Sequence, residues 1–258
     1  MGLDAFVYCR CWQDGLATPC PVGPVGYDED GCLALLRPWE GNKAAHRTFD
    51  AWQAEACPHK AMEQANEHVS NWAGVRLFQQ ALRAAGEHRF PTLAAALPDA
   101  NGGSLTADQA AVALAELDAF ARTARITDEV ELVDEATGAV VMQYVEAYRG
   151  LFMFSPGFQA GVDPDGFFVL DRADPPVTLF RAVRFGQRPL PGDRVEFTAG
   201  GTRTVVAMRP VGEHGEPPPE RLAVRTRSRS GGDFAYIVEP LRRLCAASVA
   251  TGNPVMWY

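Results

Sequence analysis

The sequence predicts an α+β protein, mainly helical in its N-terminal half after a short strand region and mainly strands in its C-terminal half. Three observations carry this. Apolar residues recur at three- and four-residue spacing between about residues 44 and 121. After about residue 126 the texture changes to short β-favouring runs separated by turn residues. A final helical stripe then closes the chain. The 258 residues suffice for one large core or two smaller ones. Two lobes of one interwoven chain, over 1–125 and 126–258, are expected rather than two independent domains.

Taken in order, Leu3 to Cys11 reads as a strand centred on Phe6-Val7-Tyr8. A Pro/Gly-rich loop over 18–26 leads to a short strand from Cys32 to Leu36. A helix begins near Ala44 and places Phe49, Trp52 and Ala56 on one face. Pro58 is expected to end it and to open a long helix from Pro58 to Ala85, bent near Gly74. Phe90 to Leu97 suggests a further short helix. Thr106 and Gln109 form a capping box for a helix buried along Ala110, Leu114, Leu117, Ala121 and Ala124. Glu131–Val133 and Ala139–Tyr144 read as a hairpin. Further strands are expected at 167–170, 178–185, 194–197, 202–208 and 222–226, with a surface loop over 213–220. The last helix, Tyr236 to Ala250, buries Ile237, Leu241, Leu244 and Cys245, and Thr251-Gly252-Asn253-Pro254 stops it.

Composition narrows the function. A net charge of −8 argues against phosphate-backbone binding as the main activity, which depends on many Lys and Arg. No apolar run approaches the ~20 residues that span a bilayer, and the acidic opening does not suit a secretory signal. A cytoplasmic chain with reduced cysteines is expected, with no membrane partner. Lys43 and Lys60 are the only lysines, both in polar surroundings, which disfavours Schiff-base chemistry. The phosphate-cradling, dinucleotide, zinc-protease and nucleophile-elbow motifs are absent.

Five of the six Cys and four of the five His lie in the first 88 residues. Uniform scatter would place about two of each there, so the cluster carries weight. Cys9 and Cys11, two apart on a strand, project from one face. Cys57 and His59 flank Pro58 at an element junction. Three thiolates and an imidazole suit a tetrahedral Zn²⁺, structural if closed and catalytic if one position is open to water. Soft sulfur ligands favour Zn²⁺ or Cu(I) over Mg²⁺ or Ca²⁺. Cys20 and Cys32 are spare candidates. The alternative is that these cysteines are ordinary core residues. A metal-free reading makes Cys57 a nucleophile at a helix N-terminus, with His59 as its base, oriented four residues on by Glu63.

Met1-Gly2-Leu3-Asp4 running into Val7-Tyr8-Cys9-x-Cys11, and Phe49-x-x-Trp52 with Ala56-Cys57-x-His59, resemble a bacterial protein family of actinobacterial type with no established activity. The ending from Leu244 to Pro254 is similar as well. The resemblance implies a stand-alone cytoplasmic protein and transfers no catalytic residue.

Two Arg-rich regions complete the reading. Arg225, Arg227 and Arg229 alternate on one face of an extended chain. Arg181, Arg184 and Arg188 form a second patch. Both suit an anion site but are expected to be solvated strand faces, and the Arg225/Arg227/Arg229 stripe, mainly structural or solubilising, is expected to tolerate single Arg→Gln changes with little shift in melting temperature. Arg181, Thr202 and Glu239 follow the Arg…Ser/Thr…Glu order of ADP-ribosyltransferases, without the Ser-Thr-Ser run or the second acid. The favoured expectation is a binding protein of accessory or immunity type, with a small-molecule ligand or a basic protein partner. The rival is an enzyme built on an open metal site or the Cys57 thiolate.

Overall fold

A computed structural model describes residues 2–28, 31–122, 126, 128–212 and 217–258. The chain is α+β, as the sequence predicts, with five α-helices and sixteen strands in four sheets among the described residues. It divides into two compact units, Met1–Ile126 with Ser230–Tyr258, and Thr127–Arg229. The final helix therefore belongs with the N-terminal residues, whereas the sequence alone groups it with the strands.

The first unit begins with β1 (Gly2–Tyr8), whose alternate residues Leu3, Ala5 and Val7 are fully buried. A long excursion comes next, carrying the hairpin β2 (Val25–Tyr27) and β3 (Leu33–Leu35) and helix α1 (Lys43–Glu55). The chain returns through a 3-10 turn, Lys60–Met62, into β4 (Glu63–Asn71), antiparallel to β1 with Tyr8 opposite Glu63 and Gly2 opposite Asn71. This corrects the expected helix from Pro58. The spacing of Met62, Ala65, Val69 and Trp72 mimics a helical stripe, but along Glu63–Glu67 partly buried and exposed residues alternate with period two. The helix α2 (Trp72–Ala84) starts only after Asn71, whose side chain caps it by accepting from the Gly74 amide at 2.8 Å.

After α3 (Pro91–Ala96) and β5 (Ser104–Leu105), α4 (Ala107–Ala121) opens on the predicted capping box. Buried Glu116 of α4 accepts the Thr92 and Leu93 amides at 3.0 and 2.8 Å, satisfying the start of α3. Ala124 and residues 213–216 of the expected loop lie outside the described residues.

Among its described residues the second unit holds ten strands in two antiparallel sheets. They are β6 (Asp128–Asp134), β7 (Val140–Gln143), β8 (Leu151–Phe154), β9 (Gln159–Asp163) and β10 (Gly166–Leu170). Then come β11 (Thr178–Ala182), β12 (Arg184–Leu190), β13 (Arg194–Ala199), β14 (Thr202–Val206) and β15 (Arg221–Ser228). The orders are β11-β10-β9-β8 and β14-β13-β12-β15-β6-β7. Phe167, Phe180, Phe185 and Phe197 form the centre of their shared core, with ring centroids 4.8–6.2 Å apart.

The chain then returns to the first unit as α5 (Ala235–Thr251) and β16 (Val255–Trp257). β16 pairs with β1 and β5, giving the order β4-β1-β16-β5. α5 packs on α4 and on β4. No helix among the described residues is long and apolar enough to cross a membrane.

Candidate metal centre

The excursion from Cys9 to Met62 leaves the sheet at the end of β1 and returns at the start of β4. It carries a small core of its own: Leu33, Leu35, Phe49, Trp52, Ala56 and Met62 with Tyr8, Cys9 and Cys11. The Trp52 indole donates to the Thr18 carbonyl at 2.8 Å, tying α1 to the first loop. Cys9 and Cys11 lie at the exit of this excursion and Cys57 and His59 at its return. The Cys9 amide donates to the Met62 carbonyl at 2.7 Å, which holds the two ends together.

The four side chains converge. Their Sγ and imidazole nitrogen atoms all lie within 4.8 Å of one another. Cys9 Sγ is 3.7 Å from Cys57 Sγ. His59 Nδ1 is 3.4 Å from Cys11 Sγ and 3.8 Å from Cys57 Sγ. A tetrahedral Zn²⁺ with bonds of about 2.3 Å to sulfur and 2.0–2.1 Å to nitrogen has ligand–ligand edges of about 3.8 Å (S···S) and about 3.6 Å (S···N). The three distances fall within about 0.2 Å of those edges. Three of the six edges thus stand at zinc length and the other three lie within 4.8 Å, so the cluster could hold a metal ion.

Comparison with protein-family models, curated proteins and solved structures finds no match. The chemistry of the site thus rests on its own geometry.

Electrostatics point the same way. Burial pushes the Cys9 thiol up to about 12, and the neighbouring sulfurs of Cys11 and Cys57 add to the rise. Burial likewise raises Cys11. Packed thiols disfavour one another's ionisation, and a bound dication reverses that balance. Cys57 lies just past Ala56, the C-cap of α1, where the helix carries its partial negative charge. That end favours a bound cation. It also corrects the nucleophile reading, which needed Cys57 at a helix N-terminus. Glu63 falls with it: it begins β4 and accepts from Asn66 Nδ2 at 2.7 Å.

Two supporting features went unnoticed in the sequence. Ala61 and Met62, two and three residues after His59, both adopt positive φ (53° and 59°), a left-handed turn that non-glycine residues rarely make. Asn253, just beyond the end of α5, is buried against the exit loop. Its Nδ2 donates to the Tyr8 carbonyl at 2.9 Å and the Cys9 carbonyl at 3.2 Å, and its Oδ1 accepts from Gln13 at 2.5 Å. Arg10 adds a bond to the Thr251 carbonyl at 3.1 Å. The stop signal Thr251-Gly252-Asn253-Pro254 was visible, but only as a helix terminator.

The remaining candidates disperse. Cys20 and Cys32 stand outside the four-residue group. Arg181 lies on β11, paired with Asp163 at 2.6 Å and stacked on Phe168. Thr202 lies on β14, in the other sheet, and Glu239 lies within α5 of the first unit, paired with Arg242 at 2.7 Å. Glu239 thus sits inside a helix and Arg181 and Thr202 in different sheets, so the ADP-ribosyltransferase order has no common sheet to act from. Arg184 and Arg188 pair with Glu135 and Glu196.

The Arg225/Arg227/Arg229 stripe is a solvated face in two of its three members: Arg225 and Arg227 are exposed, whereas Arg229, just past β15, is buried. β15 pairs with β6, with Arg225 opposite Glu131 and Arg227 opposite Glu129. Glu131 is fully buried and lies 2.8 Å from Arg225, and buried Arg229 pairs with buried Glu129 at 2.5 Å. Burial raises the Glu129 carboxyl, against the lowering effect of Arg229. The expectation that single Arg→Gln changes are silent is therefore corrected for Arg229.

Proposed function

We propose that Cys9, Cys11, Cys57 and His59 hold one Zn²⁺ in a closed structural site, and that the protein acts by binding. The observation that carries the first half is the match of the Cys9–Cys57, Cys11–His59 and Cys57–His59 distances to the edges of a zinc tetrahedron. Four protein ligands complete that geometry and leave no position for a catalytic water, which favours a structural metal over an open one. The excursion has only a small core, so a metal at its base would supply folding free energy that its apolar contacts do not.

The binding role is supported by what the excursion displays. Leu36 and Trp39 are 55% and 52% exposed on it, Leu16 is 72% exposed, and the chain carries a net charge of −8. Apolar side chains on an acidic protein suit a basic protein partner in the reducing cytoplasm, in an accessory or immunity-type role.

Elemental analysis of freshly purified protein tests the metal: one zinc per chain is the expected result. Cys57→Ser should lose metal and thermal stability together, and a chelator should reproduce the loss in the wild type. A stable, metal-free Cys57→Ser protein that melts like the wild type would overturn this function.

A further inference from the structure

We infer that Cys9 and Cys57 form a disulfide when the protein meets a peroxide, releasing the metal while keeping the excursion closed. The inference rests on the metal reading for the release, and on sulfur geometry alone for the bond.

Cys9 Sγ and Cys57 Sγ are 3.7 Å apart, so a shift of about 1.7 Å brings them to disulfide bonding distance. Cys11 sits 3.4 Å from the imidazole of His59. Access separates the roles of the three sulfurs: Cys9 and Cys11 are buried, and Cys57 is half-buried. Cys57 is thus the sulfur that hydrogen peroxide reaches. Its thiolate attacks one peroxide oxygen, an S–O bond forms, the O–O bond breaks and hydroxide leaves. Sulfur is oxidised by two electrons and the peroxide is reduced. The Cys9 thiolate then attacks the Cys57 sulfur, forming the S–S bond and expelling the second hydroxide. Two thiolates and one peroxide give one disulfide and two hydroxides. Cys11 and His59 remain, too few donors for a closed tetrahedral site. The disulfide joins the exit of the excursion to its return, the same two segments the metal joins, so the fold around it is retained and reduction can restore the site.

The experiment treats zinc-loaded full-length protein with hydrogen peroxide. It reads zinc release with a chromogenic chelator, free thiols by titration, and cross-links by peptide mass mapping. Expected are one zinc released for every two thiols lost, a Cys9–Cys57 linked peptide, and recovery with dithiothreitol and zinc. Cys57→Ser should abolish the link, and Cys20→Ser should leave it intact. Zinc and thiols unchanged under peroxide, or a link between other cysteines, would overturn the inference. A chain that takes up no zinc overturns the metal reading alone. The pair is then judged on the metal-free chain, where a Cys9–Cys57 link supports it and any other outcome refutes it.

Discussion

Replacing Asn253 with Ala probes whether the turn after α5 positions the metal ligands. The Asn253 amide satisfies two main-chain carbonyls, Tyr8 and Cys9, in a buried place. Alanine leaves both without that donor, at about 1–1.5 kcal/mol each, so the metal-free protein should lose about 2–3 kcal/mol. The same carbonyls fix the backbone from which Cys9 projects. Loss of such a supporting contact typically weakens metal binding about 10- to 100-fold. Gln13→Ala is the internal control, since it removes only the exposed partner of Asn253 and should cost less than about 0.5 kcal/mol. Zinc affinity by competition with a fluorescent chelator, and urea unfolding with and without metal, read the two effects. If Asn253→Ala binds zinc within twofold of the wild type and unfolds no earlier than Gln13→Ala, the positioning argument fails.

Three further outcomes rest on the same structure. Ala61→Gly relieves a left-handed non-glycine residue and should be neutral or stabilising by up to about 1 kcal/mol, whereas Ala113→Gly inside α4 should cost at least about 1 kcal/mol; thermal melts of both decide. Arg229→Gln strands buried Glu129 and should cost about 3 kcal/mol in urea unfolding, while replacing both residues by Met and Leu should recover most of it. Burial raises Tyr8 from 10.0, and Cys9 and Cys245 from 9.0, each to about 12. Above about pH 9 the unfolded metal-free chain binds fewer protons than the folded one. Its stability is therefore full below about pH 9 and falls as the pH climbs toward 12, which urea midpoints between pH 7 and 10.5 would show.

Much of this was legible from residue types alone. The capping box at Thr106/Gln109, the final helix and the strand-rich region announce themselves through local chemistry. So does the grouping of Cys9, Cys11, Cys57 and His59, because soft ligands of that kind have few other reasons to cluster. Other features depend on pairing. Whether residues 63–71 coil or extend is decided by β1 lying alongside, and no local signal separates the two. The mistaken helix then carried Cys57 to the wrong helix end and Glu63 beside His59. The burial of Arg229 is unreadable for a similar reason: it depends on the neighbouring strand, which brings buried Glu129 against it. Asn253 was unreadable as a support because its partners, Tyr8 and Cys9, lie at the other end of the sequence.

That last separation has a temporal side. β1 leaves the ribosome long before its neighbour β16 and the bracing residue Asn253, which are made only after α5. At about 5–20 residues per second, tens of seconds pass between them. Thr127–Arg229 is contiguous and can fold while that interval runs. The N-terminal strand meanwhile waits with one edge unpaired and its thiols unbraced. Newly made chains are thus most open to misplaced metal and to edge-to-edge association before their C-terminal residues arrive.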